Sequence, residues 1–220
     1  MKTIVVMSGG LDSTTLLYDL LKADHTVEAL SFDYGQRHAR ELVSAQAICS
    51  VLDVPWMRAD LSAIGAIIAG SSSLLNRDVA VPHGHYADVS MKKTVVPNRN
   101  MIMLSVAIGH AIARGFEAVA FGAHAGDHAI YPDCRPAFAA AMDTAALLCD
   151  WTEVRVLRPF VHMTKTQIVR RGFDLAVPFE RTWSCYEGGE VHCGKCGTCV
   201  ERKEAFSLAE VVDPTRYEAA

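Results

Sequence analysis

The sequence predicts an α/β fold, a parallel sheet with helices on both faces, closed near its C-terminus by a four-cysteine knuckle. Three observations carry this expectation. Short apolar runs alternate with helix-period segments along most of the chain, the pattern of strand–helix–strand units. A glycine pair stands directly between the first apolar run and the first helical segment. Late in the chain, Cys185, Cys193, Cys196 and Cys199 fall close together among glycines.

Taken in order, Ile4 to Met7 reads as a buried first strand, and Asp12 opens a helix through Leu16, Leu17 and Leu20 to about Lys22. Val27 to Asp33 is a second strand and His38 to Val51 a second helix, with a short third strand around Trp56 after Pro55. The stretch from Gly70 to Asn98 breaks this rhythm. It holds serines at 71 to 73, an Asn-Arg-Asp turn and three loop-forming residues, Pro82, Gly84 and Pro97, with no period. A loop of that length in an α/β protein reads as a lid or as disordered. Asn100 then caps a helix through Met101, Leu104, Ile108 and Ile112, and Glu117 to Phe121 is a strand. A helix at Ala137 to Cys149, a strand at Glu153 to Leu157 and a helix at Thr164 to Arg171 follow, with a last short helix at Glu201 to Leu208. A chain of 220 residues accommodates this as one domain over 1–220, with the knuckle at 183–202 as an appended element.

Composition narrows the function classes. A formal net charge of −4 supplies no broad basic field, so stable binding of nucleic acid along its backbone is not expected. The run after Met1 is too short for a secretory core and passes at once into loop chemistry. No apolar run is long enough for a membrane span, and the expected location is cytoplasmic. Seven cysteines with CxxC spacings favour metal ligation over disulfides.

The loop Ser8-Gly9-Gly10-Leu11-Asp12-Ser13 has a definite physical use. Glycines permit a tight turn in which backbone N–H groups and a helix N-terminus converge on an anion, and Ser8 and Ser13 add hydroxyls. No lysine follows the glycines, so this is neither a Walker A loop nor a dinucleotide fingerprint. The cysteines read C-x7-C-x2-C-x2-C, a spacing that lets four thiolates meet on a tetrahedral ion. Zinc is the expected occupant, with an iron–sulfur cluster as the competitor. His192 is a conceivable substitute ligand. A closed four-sulfur shell leaves no open position, which points to a stapling ion.

The string SGGLDS after a buried strand resembles the pyrophosphate loop of the N-type ATP pyrophosphatases. SGGLDSTT, FDYGQRH, VPNRN, YPDCRPAF and the cysteine run, in register over essentially the whole chain, resemble the nitrile-forming 7-cyano-7-deazaguanine synthase family within that group. The resemblance implies a Rossmann-like sheet and cleavage of ATP to AMP and pyrophosphate. It implies that Ser8, Gly9, Gly10, Leu11 and Ser13 cradle the pyrophosphate while Asp12 helps to hold Mg²⁺. It also implies one structural Zn²⁺ per subunit, a homodimer, and 7-carboxy-7-deazaguanine, ammonia and ATP as substrates. Ammonia would be used directly, since no glutaminase segment is evident.

The same strings supply further candidates. Asp33, Tyr34 and Gln36 sit at the expected end of the second strand, the edge where parallel sheets place ligands, and are candidates for ATP. Arg99 among Asn98 and Asn100, and Lys165 in a first helical turn where the macrodipole disfavours a cation, are candidates for phosphate charge. Asp127, Tyr131, Asp133 and Arg135 suit a carboxylated heterocycle. His124 and His128 are expected on the surface, and Cys134 as a neutral packed thiol. Two rivals remain at this level: an RNA-thiolating or lysidine-forming enzyme on the same loop, and a zinc-stapled nucleotide-binding module without turnover.

Overall fold

The computed structural model describes residues 1–70 and 72–219. Five strands form one sheet: β1 (Lys2–Val6), β2 (Thr26–Asp33), β3 (Trp56–Asp60), β4 (Ala118–Ala120) and β5 (Arg155–Leu157). Their order is β3-β2-β1-β4-β5 and each pairing is parallel. Val5 lies between Ala29 of β2 and Ala120 of β4. The chain therefore builds outward from β1 to β3 and then returns to β1's other side. That reversal opens a crevice beyond the C-terminal ends of β1 and β4.

Strand alternation divides the core in two. Ile4 and Leu30 pack with Leu104, Ile108 and Met142, from α4 (Arg99–Arg114) and α5 (Pro136–Leu148). Val5 and Ala29 face the other way, against α1 (Leu11–Lys22), α2 (Arg40–Val51), α6 (Lys165–Asp174) and α7 (Gly197–Ala209). Leu16 and Leu17 of α1 are wholly buried in that second layer, each stabilising the fold by about 1.5–3 kcal/mol relative to exposure. The expected layered α/β architecture is present.

Local departures have local causes. A helix without a predicted counterpart, α3 (Ser62–Ile68), follows β3. A Cβ at its Gly65 would lie 1.8 Å from the Tyr34 carbonyl oxygen, so a glycine is needed for the packing that holds it. Helix α4 starts at Arg99 and not after Asn100. Asn98, in the left-handed region at φ 60°, is its N-cap, and Asn100 lies inside the first turn. The terminal helix begins at Gly197, four residues before the expected Glu201.

The segment expected to be a lid or disordered is packed, apart from Ser71, which lies outside the described residues. Ser73, Leu74, Tyr86, Met91 and Thr94 are buried, with a 3₁₀ turn over Val89–Thr94. Gly84 donates its N–H to the Lys195 carbonyl, and His83 bridges to Cys196. The segment is a strap that joins the loop after β2, through Arg37, to the knuckle.

Candidate active site

The loop between β1 and α1 turns through Gly9 at φ +86°. A Cβ there would lie 2.1 Å from the Glu41 carbonyl oxygen, so Gly9 meets both a conformational and a steric demand. Within the loop, the Ser8 and Ser13 hydroxyls lie 2.9 Å apart, and Ser8 Oγ accepts from the Gly10 N–H. The strand-end loop after β4 approaches closely. A Cβ on Gly122 would touch the backbone of Asp12 and Ser13 at 3.4 Å.

One cavity occupies the crevice. Of the expected nucleotide residues, Ser8, Gly10, Leu11, Asp12, Ser13, Tyr34 and Gln36 line it, as do Arg99, Asp127 and Lys165. Gly9 and Asp33 do not. Asp33 accepts the Gly35 N–H and faces Arg58 at 3.7 Å. Three expected substrate residues also stand outside the lining. Tyr131 is buried with its hydroxyl between those of Thr94 and Tyr186. Asp133 accepts the backbone N–H of Asn100 at 3.0 Å, a remote cap for α4. The Arg135 guanidinium donates to the His128 carbonyl. The Asn100 amide also donates to Cys134 Sγ. Cys134 is buried, and burial pushes its thiol pKa up, so it is a neutral packed thiol as expected.

The centre of the cavity is an ionic cluster. Lys165 is the first residue of α6, fixed by a reciprocal cap: Thr164 Oγ1 accepts the Gln167 N–H, and Gln167 Oε1 accepts the Thr164 N–H. Its ammonium donates to Asp12 Oδ2 at 2.6 Å and lies 3.4 Å from Glu201 Oε2. Burial opposes the Asp12 charge, but the Lys165 ammonium draws its carboxyl below the usual range. Burial likewise works against the ammonium, and Asp12 and Glu201 outweigh it to raise the Lys165 pKa. Asp12 Oδ1 is buried without a hydrogen-bond partner among the described residues.

His124 corrects the surface expectation: it is 1% exposed. Its Nδ1 accepts the Gly126 N–H, so a neutral ring carries its proton on Nε2. That nitrogen stands 3.4 Å from Lys165 Nζ, 3.6 Å from Asp127 Oδ1 and 3.8 Å from Asp12 Oδ2. Asp127 in turn accepts from the Tyr86 hydroxyl and the backbone N–H of His124. Sequence motifs did not single out Glu41, Tyr86, Tyr186 or Glu201, all of which line the cavity. Only Glu201 carried a signal, a carboxylate two residues from a clustered cysteine.

The knuckle forms one wall of this cavity through Ser184, Tyr186, Thr198 and Glu201. The sulfurs of Cys185, Cys193, Cys196 and Cys199 all lie within 4.8 Å of one another and all four residues are buried. Backbone N–H groups of Cys193, Lys195 and Cys196 point at these sulfurs, as thiolates on a metal require. The set could hold one metal ion. His192 is not part of it; its ring stacks on Trp183 and its Nε2 accepts the Ser184 N–H. Arg202, wholly buried, bolts the knuckle to the body through Thr182, Ser184, Phe179 and Asp213.

Fold and loop together define a parallel α/β protein with a glycine-rich turn between its first strand and first helix. The fold is similar to that of NMN synthetase from Francisella tularensis, with a TM-score of 0.54 over 99% of this chain and 79% of that one at 13% identity. A U34-tRNA thiolase from Methanococcus maripaludis, solved with its [4Fe-4S] cluster, scores 0.53 at 12% identity, covering 96% and 65% of the two chains. At the sequence level the profile described as "Queuosine biosynthesis protein QueC" matches residues 2–210, and the chain belongs to that family. Among its relatives, the 7-cyano-7-deazaguanine synthase of Brucella anthropi is 53% identical, covering all of this chain and 95% of the relative. That of Hahella chejuensis is 50% identical over 99% and 94%, and that of Methanoregula boonei 49% over 99% and 100%.

Proposed function

We propose that this protein converts 7-carboxy-7-deazaguanine and ammonia to 7-cyano-7-deazaguanine at the cost of Mg²⁺-ATP, in the cytoplasm and as a homodimer. The observation that carries the reading is the Asp12–Lys165 pair at the mouth of the glycine loop, in a cavity reaching Asp127 and the knuckle. Relatives of about half-identical sequence that are named 7-cyano-7-deazaguanine synthases support this product, and the acid and ammonia are inferred from it.

A carboxylate oxygen is a poor leaving group, so the acid must first be activated. One of its oxygens attacks the α-phosphorus of ATP, the bond to the β-phosphate oxygen breaks, and pyrophosphate departs. The N-terminus of α1, with the Ser8 and Ser13 hydroxyls, suits the departing anion. Asp12 would bind the Mg²⁺ that accompanies it; its unpartnered buried Oδ1 suits that use. Lys165 and Arg99 line the same space and offset the charge that develops on phosphate. Ammonia then attacks the acyl carbon of the adenylate, loses a proton, and expels AMP to leave the amide. A second activation, on the amide oxygen, removes that oxygen with AMP, and loss of the two amide protons leaves the nitrile. Asp127, with its donors Tyr86 and His124, suits the N–H edge of the heterocycle, and Tyr131, Asp133 and Arg135 support that wall from behind.

For the knuckle we propose one structural Zn²⁺ per subunit. Four sulfurs at about 2.3 Å from one ion stand roughly 3.8 Å apart, and the 4.0 Å between Cys193 and Cys199 Sγ fits that size. A cubane, with one metal corner per sulfur, would spread them further. The test of the activity is direct. With the acid, ammonium and Mg²⁺-ATP, mass spectrometry should find the nitrile, and ATP consumption should depend on the acid. ATP turnover without that dependence would overturn the assignment.

A further inference from the structure

The ionic cluster holds more than an ATP site needs. Mg²⁺ on Asp12 and the ammonium of Lys165 compete for one carboxylate, because Lys165 Nζ is already 2.6 Å from Oδ2. A cation as close as that repels an arriving divalent ion. The ammonium must move, and in this cavity it needs an acceptor to move toward. Glu201 supplies one. It projects from α7, two residues after Cys199, and its Oε2 is 3.4 Å from Nζ. Its other oxygen is held close to the 125–127 turn, where a Cβ on Gly126 would lie 2.9 Å from Oε1. His124 cannot take this part, because its Nδ1 is engaged by the Gly126 N–H and Nε2 bears the proton. Asp127 already accepts from Tyr86 and from the backbone N–H of His124.

We propose that Lys165 is a placeholder cation on Asp12, and that Glu201 is the positioning residue that draws it aside when Mg²⁺-ATP arrives. Glu201 touches no reacting atom in this scheme. It links the metal knuckle to the pyrophosphate loop because α7 carries both Cys199 and the carboxylate, and the buried Arg202 beside it fixes that helix to the body. The inference rests on the proposed Mg²⁺ role of Asp12.

The test uses binding as well as turnover, with Mn²⁺ as a paramagnetic substitute that favours the same oxygen ligands. Free Mn²⁺ is followed by its electron paramagnetic resonance signal, with and without ATP, on zinc-replete protein. Glu201→Gln keeps the side chain's shape and removes its charge. It should weaken Mn²⁺-ATP binding about tenfold, the loss of one charge-assisted hydrogen bond, and leave metal-free ATP binding unchanged. A merely structural role would weaken both together, and unchanged Mn²⁺-ATP affinity in E201Q would also overturn the proposal. Lys165→Gln gives an independent reading should E201Q fold poorly. With no ammonium on Asp12, K165Q should bind Mn²⁺ without nucleotide more tightly than the wild type, and adding E201Q to it should change little. Equal Mn²⁺ affinity in K165Q and wild type counts against the placeholder. Asp12→Asn separates the two levels. If D12N retains Mn²⁺-ATP binding and turnover, the metal reading of Asp12 fails; if D12N is inactive while E201Q behaves as wild type, only the role of Glu201 fails.

Discussion

Glu41 enters the cavity from α2, and among the described residues no hydrogen bond holds its charge. Burial pushes its pKa from 4.5 to about 7, and the Arg99 guanidinium only partly offsets that. The sign of the consequence follows from proton counts. Between pH 4.5 and 7 the folded chain holds a proton at Glu41 that the unfolded chain has lost, so this group removes stability as pH rises through that window. Glu41→Gln should therefore raise Tm at pH 8 in ligand-free protein, and the gain should shrink as pH falls through 7 toward 4.5. Thermal unfolding of both proteins at pH 8 and pH 4.5 checks this; an equal shift at both values would mean that Glu41 is not strained by its charge. Such a group is hard to find by sequence. Glu41 reads as an ordinary first-turn glutamate, and what makes it unusual is Gly9, whose missing Cβ brings the Glu41 backbone onto the loop.

At the scale of elements, the knuckle is a wall of the cavity as well as a staple. Ser184, Tyr186, Thr198 and Glu201 all stand where the proposed zinc would fix the chain. Cys196→Ser removes one of four ligands, and a structural zinc site contributes folding free energy of order 10 kcal/mol in small peptides. Here the sheet has its own two apolar layers, so the loss should be regional. Far-UV circular dichroism should retain most of the α/β signal, while elemental analysis shows zinc lost and acid-dependent ATP turnover falls with it. Iron in place of zinc in the wild-type protein would overturn the assignment. The cysteine spacing made this element legible from sequence, because four ligands in one short segment need no partner elsewhere. Helix α3 and the strap at 72–98 were not legible for the opposite reason. Ser62–Ile68 holds its shape by packing Gly65 on the Tyr34 carbonyl, and the strap by its internal Ser73–Lys93 bond and its bonds to Arg37 and Lys195. Neither contact has a periodicity to betray it.

Across the whole molecule, the sheet could be read from alternating runs, and β1 and its loop marked the edge where ligands belong. The pairing that matters most could not. Asp12 and Lys165 are 153 residues apart and meet because the chain reverses at β1 and β4, which brings α6 back beside α1. One motif pointed to each residue, and only the fold joins them above one loop. The proposed reaction makes that junction testable through oxygen atoms. If the acid is activated at the α-phosphate, a substrate labelled with ¹⁸O in both carboxylate oxygens should pass one label to AMP as the amide forms. The amide keeps the second label, and the nitrile can keep none. A single site built around one pyrophosphate loop should perform the second activation in the same way, passing the remaining label to a second AMP. Two ATP would then be cleaved to AMP and pyrophosphate per nitrile, and the synthetic amide supplied alone should need one. ³¹P spectra of products from the labelled amide distinguish this from transfer of the γ-phosphate. Labelled AMP with pyrophosphate is the expected result. ADP with labelled phosphate would overturn the second adenylation, and would mean that the loop holds ATP in two different registers for the two halves of the reaction.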